Sequence, residues 1–217
     1  MTEELKITIL SDRDSWINQY LNDLIEQLKK YKHNVEWVHQ ASDISRGDLV
    51  FCLGCSQIMS KEILELNQHN LVVHESELPQ GKGWSPLTWQ ILEGKNEIPI
   101  CLFEAQEGVD SGYIYLKDKL IFQGTELVEE LRQTQAKVSI KMCLEFVLNY
   151  PHIVSQGQPQ KGESTFYSRR TPKDSKLNPD KTLKEQFNLL RVVDNQHYPA
   201  FFELYGNVYA LKIERRD

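Results

Sequence analysis

A chain of 217 residues can bury one substantial core with an appendage but is too short for two ordinary domains. With 26% charged and 40% apolar residues it is not extensively disordered, and with apolar runs no longer than 49–53 and 71–73 it offers nothing to span a bilayer. A net charge of -6 disfavours nucleic acid, whose binding depends on Lys and Arg releasing counterions. No cationic stretch leading into an apolar one follows Met1, so the cytoplasm is the expected location and no membrane partner is expected.

The first elements read as a βαβ unit: a strand over Leu5 to Leu10, a helix carrying Ile17, Leu21, Leu24 and Leu28 at helical spacing, and a strand over Val35 to Val38. "GDLVFCL" gives another buried strand and "MSKEILEL" a short helix with Ser60 as N-cap. "NLVV" gives a strand that runs into His74. "SPLTWQILEGK" reads as a helix closing at Gly94, followed by the strand "IPICLFEA" and the loop "QEGVDSG". "YIYLKDKLIF" reads as a hairpin or meander with Lys117-Asp118 near its turn. Thr125 to about Tyr150 is the longest helix, ended by Pro151. "SQGQPQKGEST" has almost nothing to bury and is expected to be mobile. "TLKEQFNLLRVVD" is then helical, and "AFFELYGNVYALKI" forms a hairpin around Gly206-Asn207. The predicted fold is therefore α/β: a doubly wound, mostly parallel Rossmann-like sheet over 1–154, a mobile loop over 155–165, and a short helix-plus-hairpin extension over 166–217. The β-rich, aromatic hairpin invites pairing with a second chain, so a homodimer is expected.

In such sheets ligands bind beyond the carboxyl ends of the strands, where His74 sits. Asp110, 36 residues on, is expected at the end of an adjacent parallel strand, and a carboxylate beside an imidazole in a cleft is an acid/base arrangement. "CLGC" holds two of the four cysteines, Cys52 and Cys55. It reads as half a metal site, a redox pair or simple core packing. No second ligand pair completes a zinc site, so no metal is expected. "SDRDSW" after the first strand is either a capped helix start or an anion site formed by Ser11, Arg13 and the helix N-terminus.

"HESELPQGKGWSPLTWQILEGKNEIPICLFEAQEGVDSGYIYL" resembles the core of the 10-formyltetrahydrofolate-dependent formyltransferases. The shared features are a strand, H-x-S-x-LP, a glycine loop, a helix ending in Gly, a strand and a G-x-D-x-G segment. "CSQIMSKEIL" resembles that family's pterin-pocket segment. "FYSRRTPKDSKLNPDKTLKEQFNLLRVVDNQHYPAFF" is similar to the region that follows the catalytic domain in members formylating nucleotide-linked amino sugars. Together these cover most of residues 49 to 205.

The resemblance implies acyl transfer from 10-formyltetrahydrofolate to the amine of a nucleotide-linked aminodeoxy sugar, such as a UDP-4-amino-4,6-dideoxy hexose of the pseudaminic-acid type. Methionyl-tRNA and a purely binding role are the alternatives. His74, kept cationic by Asp110, would stabilise the oxyanion, and Asp110 or a water it orients would take the amine proton. Cys55, Ser56, Gln57, Ile58, Met59, Glu107, Gly108 and Val109 would hold the folate, with Ile58 and Met59 otherwise ordinary core. Ser11, Arg13, Lys82, Gly83, Trp84, Tyr167, Arg169 and Arg170 would hold the acceptor, through aromatic stacking and guanidinium–phosphate pairing. One departure stands out: the family's Asn-x-His has Val72 where the Asn belongs. The loss of one oxyanion donor typically costs about a hundred- to a thousandfold in rate. Asn70, Ser76 and Ser11 are the candidate replacements.

Overall fold

The computed structural model describes residues 4–216; residues 1–3 and 217, at the ends of the expected ranges, lie outside the described residues. The chain begins with β1 (Lys6–Leu10), α1 (Asn18–Lys30) and β2 (Asn34–Val38). Leu21, Leu24 and Leu28 are buried on one face of α1, and Lys29 and Lys30 sit in its last turn, where the helix dipole favours cations. There follow β3 (Gly47–Cys52), α2 (Lys61–Leu64), β4 (Asn67–His74), the two-residue β5 (Lys82–Gly83), α3 (Pro86–Leu92), β6 (Glu97–Glu104), β7 (Ile114–Ile121) and α4 (Val128–Asn149). The extension carries β8 (Phe166–Tyr167), α5 (Phe187–Val192) and the hairpin β9 (Ala200–Leu204) with β10 (Asn207–Leu211).

Six strands form one sheet in the order β2-β1-β3-β4-β6-β7. β1 to β4 pair in parallel, whereas β6 is antiparallel to β4 and β7 is antiparallel to β6. The expected α/β, mostly parallel sheet is present, with an antiparallel edge that the sequence reading lacked. β3 is buried on both faces, as its unbroken apolar run requires. Leu49 and Phe51 join the main core with α1 and α4, while Val50 and Cys52 join a second cluster with Leu10, Val38, Ala41 and Ile44.

Three local expectations change. Residues 114–121 form one strand rather than a hairpin: Ile114 and Leu120 are buried, and Lys117 and Lys119 project outward to Glu77 and Glu97, an alternation that pairing with β6 sustains through the expected turn. The last helix is only α5, because Thr182 N and Oγ1 donate to Glu185 and the Gln186 amide donates to the carbonyls of Asn178, Lys181 and Thr182, closing turns instead. The 155–165 stretch, expected to be mobile, is tied down. Gln158 and Ile114 exchange main-chain hydrogen bonds at 2.8 Å, and Gln160 Nε2 donates to the carbonyls of Asp110 and Gly112.

The extension has its own small core of Leu177, Leu190, Val193 and Ala200, and it meets the body at Arg191, which is only 1% exposed. Arg191 donates to Glu126 O and Oε2 and to Asn96 Oδ1. Glu126 in turn accepts from the amides of Gln123, Gly124 and Thr125 ahead of α4. Removing one partner of a sheltered ion pair strands the other. Arg191→Met is expected to lower unfolding free energy by about 2–4 kcal/mol in urea titrations, with the extension losing amide-exchange protection first.

Candidate functional site

Loops after β1, β2 and β3 meet at the carboxyl edge of the parallel strands, and Gln57 joins them. Its Nε2 donates to Asp12 Oδ1 and to His39 O, both at 3.0 Å, and its Oε1 accepts from Ala41 N at 2.9 Å. Ser56 N donates to Asp12 Oδ2 at 2.8 Å. Burial pushes the Asp12 carboxyl up, but hydrogen bonds from Gln57 and Ser56 outweigh it and hold the group below its ordinary value. The Gln57 side chain is thus spent on loop geometry. Ile58, 83% exposed, is not core, while Met59 packs into the second cluster. Asn70 ties this region to the loop carrying Glu107, Gly108 and Val109, since its Nδ2 donates to Leu64 O and its carbonyl accepts from Ala105 N. Ser111 Oγ donates to the carbonyls of Glu107 and Gly108, and all three loop residues are exposed.

His74 and Asp110 are brought together, but not by parallel strand ends. Since β6 is antiparallel to β4, it leaves the sheet beside Asn70, and the 105–112 loop returns to bring Asp110 to His74. Asp110 adopts a left-handed backbone (φ 46°), which an L-residue holds only when its surroundings enforce it. His74 Nε2 lies 2.8 Å from Gly81 O and 3.8 Å from Asp110 Oδ2, so the ring's direct partner is the glycine loop. The Asp110 carboxylate accepts from Gly83 N at 2.7 Å. Gly83 has φ 96°, and a Cβ there would sit 2.5 Å from Tyr167 O, so this position admits no side chain.

Val72 is half-buried on the strand face that also carries Asn70 and His74, and it packs against both the second cluster and Leu78, Cys101, Phe103 and Ile114. Of the residues considered as donors in its place, Asn70 uses its amide on Leu64 O, and Ser11 Oγ accepts from Trp37 Nε1 at 2.8 Å. The Ser76 hydroxyl is buried without a partner.

A cleft of about 340 Å³ is lined in part by Glu75 and Trp84, the chain neighbours of His74 and Gly83. Trp84 lines it with Arg169, whose guanidinium carbon lies 4.7 Å over the indole, a cation–π distance. Arg170, half-buried, donates to Asp174 O at 3.1 Å and keeps an unpaired buried Nε. Trp16, Glu75, Arg132, Gln135 and Asp194 complete the part that matters chemically, and none of these was singled out from sequence. Glu75 alone carried a signal, as an acid next to the site histidine. Arg132 pairs with Asp194 at 2.9 Å; although burial pushes the Asp194 carboxyl up, hydrogen bonds from His197, Gln196 and Arg132 hold it well below the carboxylate range.

Five expected acceptor residues, Ser11, Arg13, Lys82, Gly83 and Tyr167, do not line this cleft. Ser11 is fully buried, with its hydroxyl engaged by Trp37. Arg13 is exposed, and its carbonyl accepts from the side chain of Asn18 at the start of α1 at 2.9 Å. Tyr167 stacks on Trp89 (6.3 Å, 11°) and donates to Glu93 at 2.9 Å, which turns it to the opposite side of the loop. Lys82 is buried, with its amide donating to Thr165 O at 2.9 Å and no carboxylate among the described residues within 4 Å of its ammonium.

Residues 26–147, more than half of the chain, match the family model described as formyl transferase. The chain belongs to that family. A methionyl-tRNA formyltransferase of Thermodesulfovibrio yellowstonii is 27% identical over 136 residues, 62% of this chain and 44% of that one. This formyl transferase chain therefore spans about half the length of the curated relatives it matches. Among solved structures, a methionyl-tRNA formyltransferase from Clostridium thermocellum superposes with a TM-score of 0.79 at 23% identity, over 98% of this chain and 94% of that one. HypX from Aquifex aeolicus in complex with tetrahydrofolic acid gives 0.74 at 17%, over 97% and 38%. A sugar N-formyltransferase from Shewanella sp. gives 0.71 at 14%, over 98% of each chain. These likenesses establish a common fold.

Cys52 and Cys55 are free thiols, and among the described residues no cluster of His, Cys, Asp and Glu could hold a metal. Burial pushes the Cys55 thiol up to about 11 and drives the fully buried Cys52 higher still. The thiolate is the nucleophile. Cys55 is expected to react with iodoacetamide negligibly at pH 7.5 and up to about tenfold faster per pH unit gained up to pH 10, with no Cys52–Cys55 disulfide after mild oxidation; ready alkylation at pH 7.5 would restore the redox reading.

Proposed function

We propose that the protein moves the formyl group of 10-formyltetrahydrofolate to the primary amine of a nucleotide-linked aminodeoxy sugar. The observation that carries this reading is the Trp84–Arg169–Arg170 cleft, whose lining residues Glu75 and Trp84 are the chain neighbours of His74 and of the Asp110-bound Gly83: an aromatic face and guanidinium groups suit a sugar and its phosphates, in a chain of net charge -6. A folate fits the other side. Exposed Ile58 and Val109 offer apolar walls on two loops that Asn70 joins, and the main-chain amides of Ile58, Met59 and Val109 have no partners among the described residues.

The folate supplies an activated formyl group. His74 presents a ring N–H to the oxygen that gains charge as the amine adds, and Asp110 at 3.8 Å steadies the ring's positive charge. Gly83 N holds Asp110 Oδ2, which leaves Oδ1 to take the proton that the amine loses, directly or through a water, and to return it to the folate nitrogen as that nitrogen's bond to the formyl carbon breaks. Of the candidate replacements, the Ser76 hydroxyl has no partner among the described residues and is free to serve the oxyanion that the family's Asn would have served.

A second reading is favoured by the curated relatives, which are methionyl-tRNA formyltransferases. The net charge of -6 argues against it. Tetrahydrofolate release should be measured with UDP- and dTDP-linked 4-amino-4,6-dideoxy hexoses and, separately, with methionyl-tRNA. Turnover on a nucleotide sugar, falling at least about a hundredfold in His74→Ala, is the expected result. Turnover on methionyl-tRNA alone would replace the acceptor, and folate binding without any turnover would leave a non-catalytic relative.

The same proposal includes a homodimer through the hairpin. Tyr205 (90% exposed) and Val208 (67%) lie on it, and β10 pairs only with β9 among the described residues, leaving an open edge. Light scattering is expected to give twice the chain mass at micromolar concentration, reverting to the chain mass in Val208→Lys.

A further inference from the structure

Glu75 follows His74 at the end of β4 and is nine-tenths buried. Its carbonyl accepts from Gln90 Nε2 at 2.5 Å and its Oε1 from Gln135 Nε2 of α4 at 2.7 Å. Apart from the residue's own main-chain N–H, its second oxygen accepts from no described residue, and none of their cations lies within 4 Å of the carboxylate. Three other sheltered carboxylates have a basic partner, Glu104 with His69, Glu126 with Arg191 and Asp194 with Arg132, whereas Asp12 is held by hydrogen bonds from Ser56 and Gln57. Burial raises the Glu75 carboxyl above its ordinary value, against the lowering influence of His74 and the Gln135 hydrogen bond, and Asp110 adds to the rise. An unmatched buried carboxylate is costly where a glutamine would accept the same bond from Gln135 at no such cost.

Glu75 lines the cleft proposed for the acceptor, together with Trp16, Trp84, Arg169 and Arg170. Arg132 and Asp194 on the same walls pair with each other, which leaves the Glu75 carboxylate and the two arginines as the charges open to a ligand. We propose that Glu75 recognises the acceptor's amine: its free carboxylate oxygen accepts a hydrogen bond from the primary amino group, while the arginines hold the anionic part of the same molecule. An arriving ammonium or amine supplies the partner that the fold withholds, and this fixes the ligand class as one carrying an amine at one end and phosphates at the other. The inference rests on the acceptor reading above.

The test is isothermal titration of wild type and Glu75→Gln with a UDP-linked 4-amino-4,6-dideoxy hexose and its 4-hydroxy counterpart. Glutamine keeps the bond from Gln135, so folding should be preserved. Wild type is expected to bind the amino compound at least about tenfold more tightly than the hydroxy compound, and Glu75→Gln to bind the two within about twofold of each other, with folate affinity and melting temperature not lowered. Gln135→Leu, which frees the carboxylate without removing it, should lose part of the discrimination. Equal binding of both compounds by wild type, or discrimination that survives in Glu75→Gln, would overturn the role of Glu75. Failure of both compounds to bind wild type would instead overturn the nucleotide-linked acceptor, and this inference with it.

Discussion

The turn between β4 and α3 is clamped from three directions, and the site depends on that clamp. Gly81 O receives the His74 ring, Gly81 N donates to Thr165 Oγ1 at 2.8 Å, and Gly83 N donates to Asp110 Oδ2. Lys82 N donates to Thr165 O at 2.9 Å and Trp84 N to Tyr167 O at 3.2 Å, so β5 pairs with β8 from the far end of the chain. Residues 81–84 thus hold the histidine, the aspartate, the indole of the proposed acceptor cleft and the start of the extension in one arrangement. The close approach that forbids a Cβ at Gly83 is the same approach that lets the extension's main chain pair there.

This clamp also explains why the 155–165 segment, poor in apolar residues, is nevertheless held. Its order comes from main-chain and amide hydrogen bonds to Ile114, Asp110 and Gly112, not from burial. Gln160 secures the backbone on either side of Asp110, so the segment belongs to the site's support. The extension is in turn secured by Arg191 and Glu126 at its other end. Positioning within a fraction of an ångström is what acyl transfer demands, and here it is distributed across both ends of the chain.

How far the sequence reached follows from what kind of signal each feature leaves. The parallel half of the sheet was legible, because Leu49 to Cys52 form a continuous apolar run and α1 has helical periodicity. Strand direction leaves no such trace. The run over 97–104 looks the same either way, so the antiparallel pairing with β4, and with it the route by which Asp110 arrives, became visible only in three dimensions. Among the expected residues, His74 and Gly83 both meet Asp110, and Arg169 meets the Trp84 indole, although the expected strand directions differ from those observed. Tyr167 fails for a local reason, since Trp89 and Glu93 on α3 and just past it claim both its face and its hydroxyl. Ser11 fails because the indole of Trp37 on the neighbouring strand reaches it first.

Neighbouring residues at a strand end project to opposite faces, and this divides the labour at the end of β4. His74 shares its face with Val72 and packs edge-on to Phe103 at 6.4 Å, toward the loops read as the folate side. Glu75 shares its face with Val73 and turns to Gln135 on α4, toward the acceptor cleft. Two reactants that meet at His74 must therefore approach from opposite faces of the sheet and join across the carboxyl end of a single strand. At that end the 105–112 loop brings Asp110 back from the antiparallel β6, while Gln90 of α3 donates to the Glu75 carbonyl. A site that receives one reactant from each face needs no large internal cavity. It needs a strand end held rigidly open, which the glycine clamp supplies.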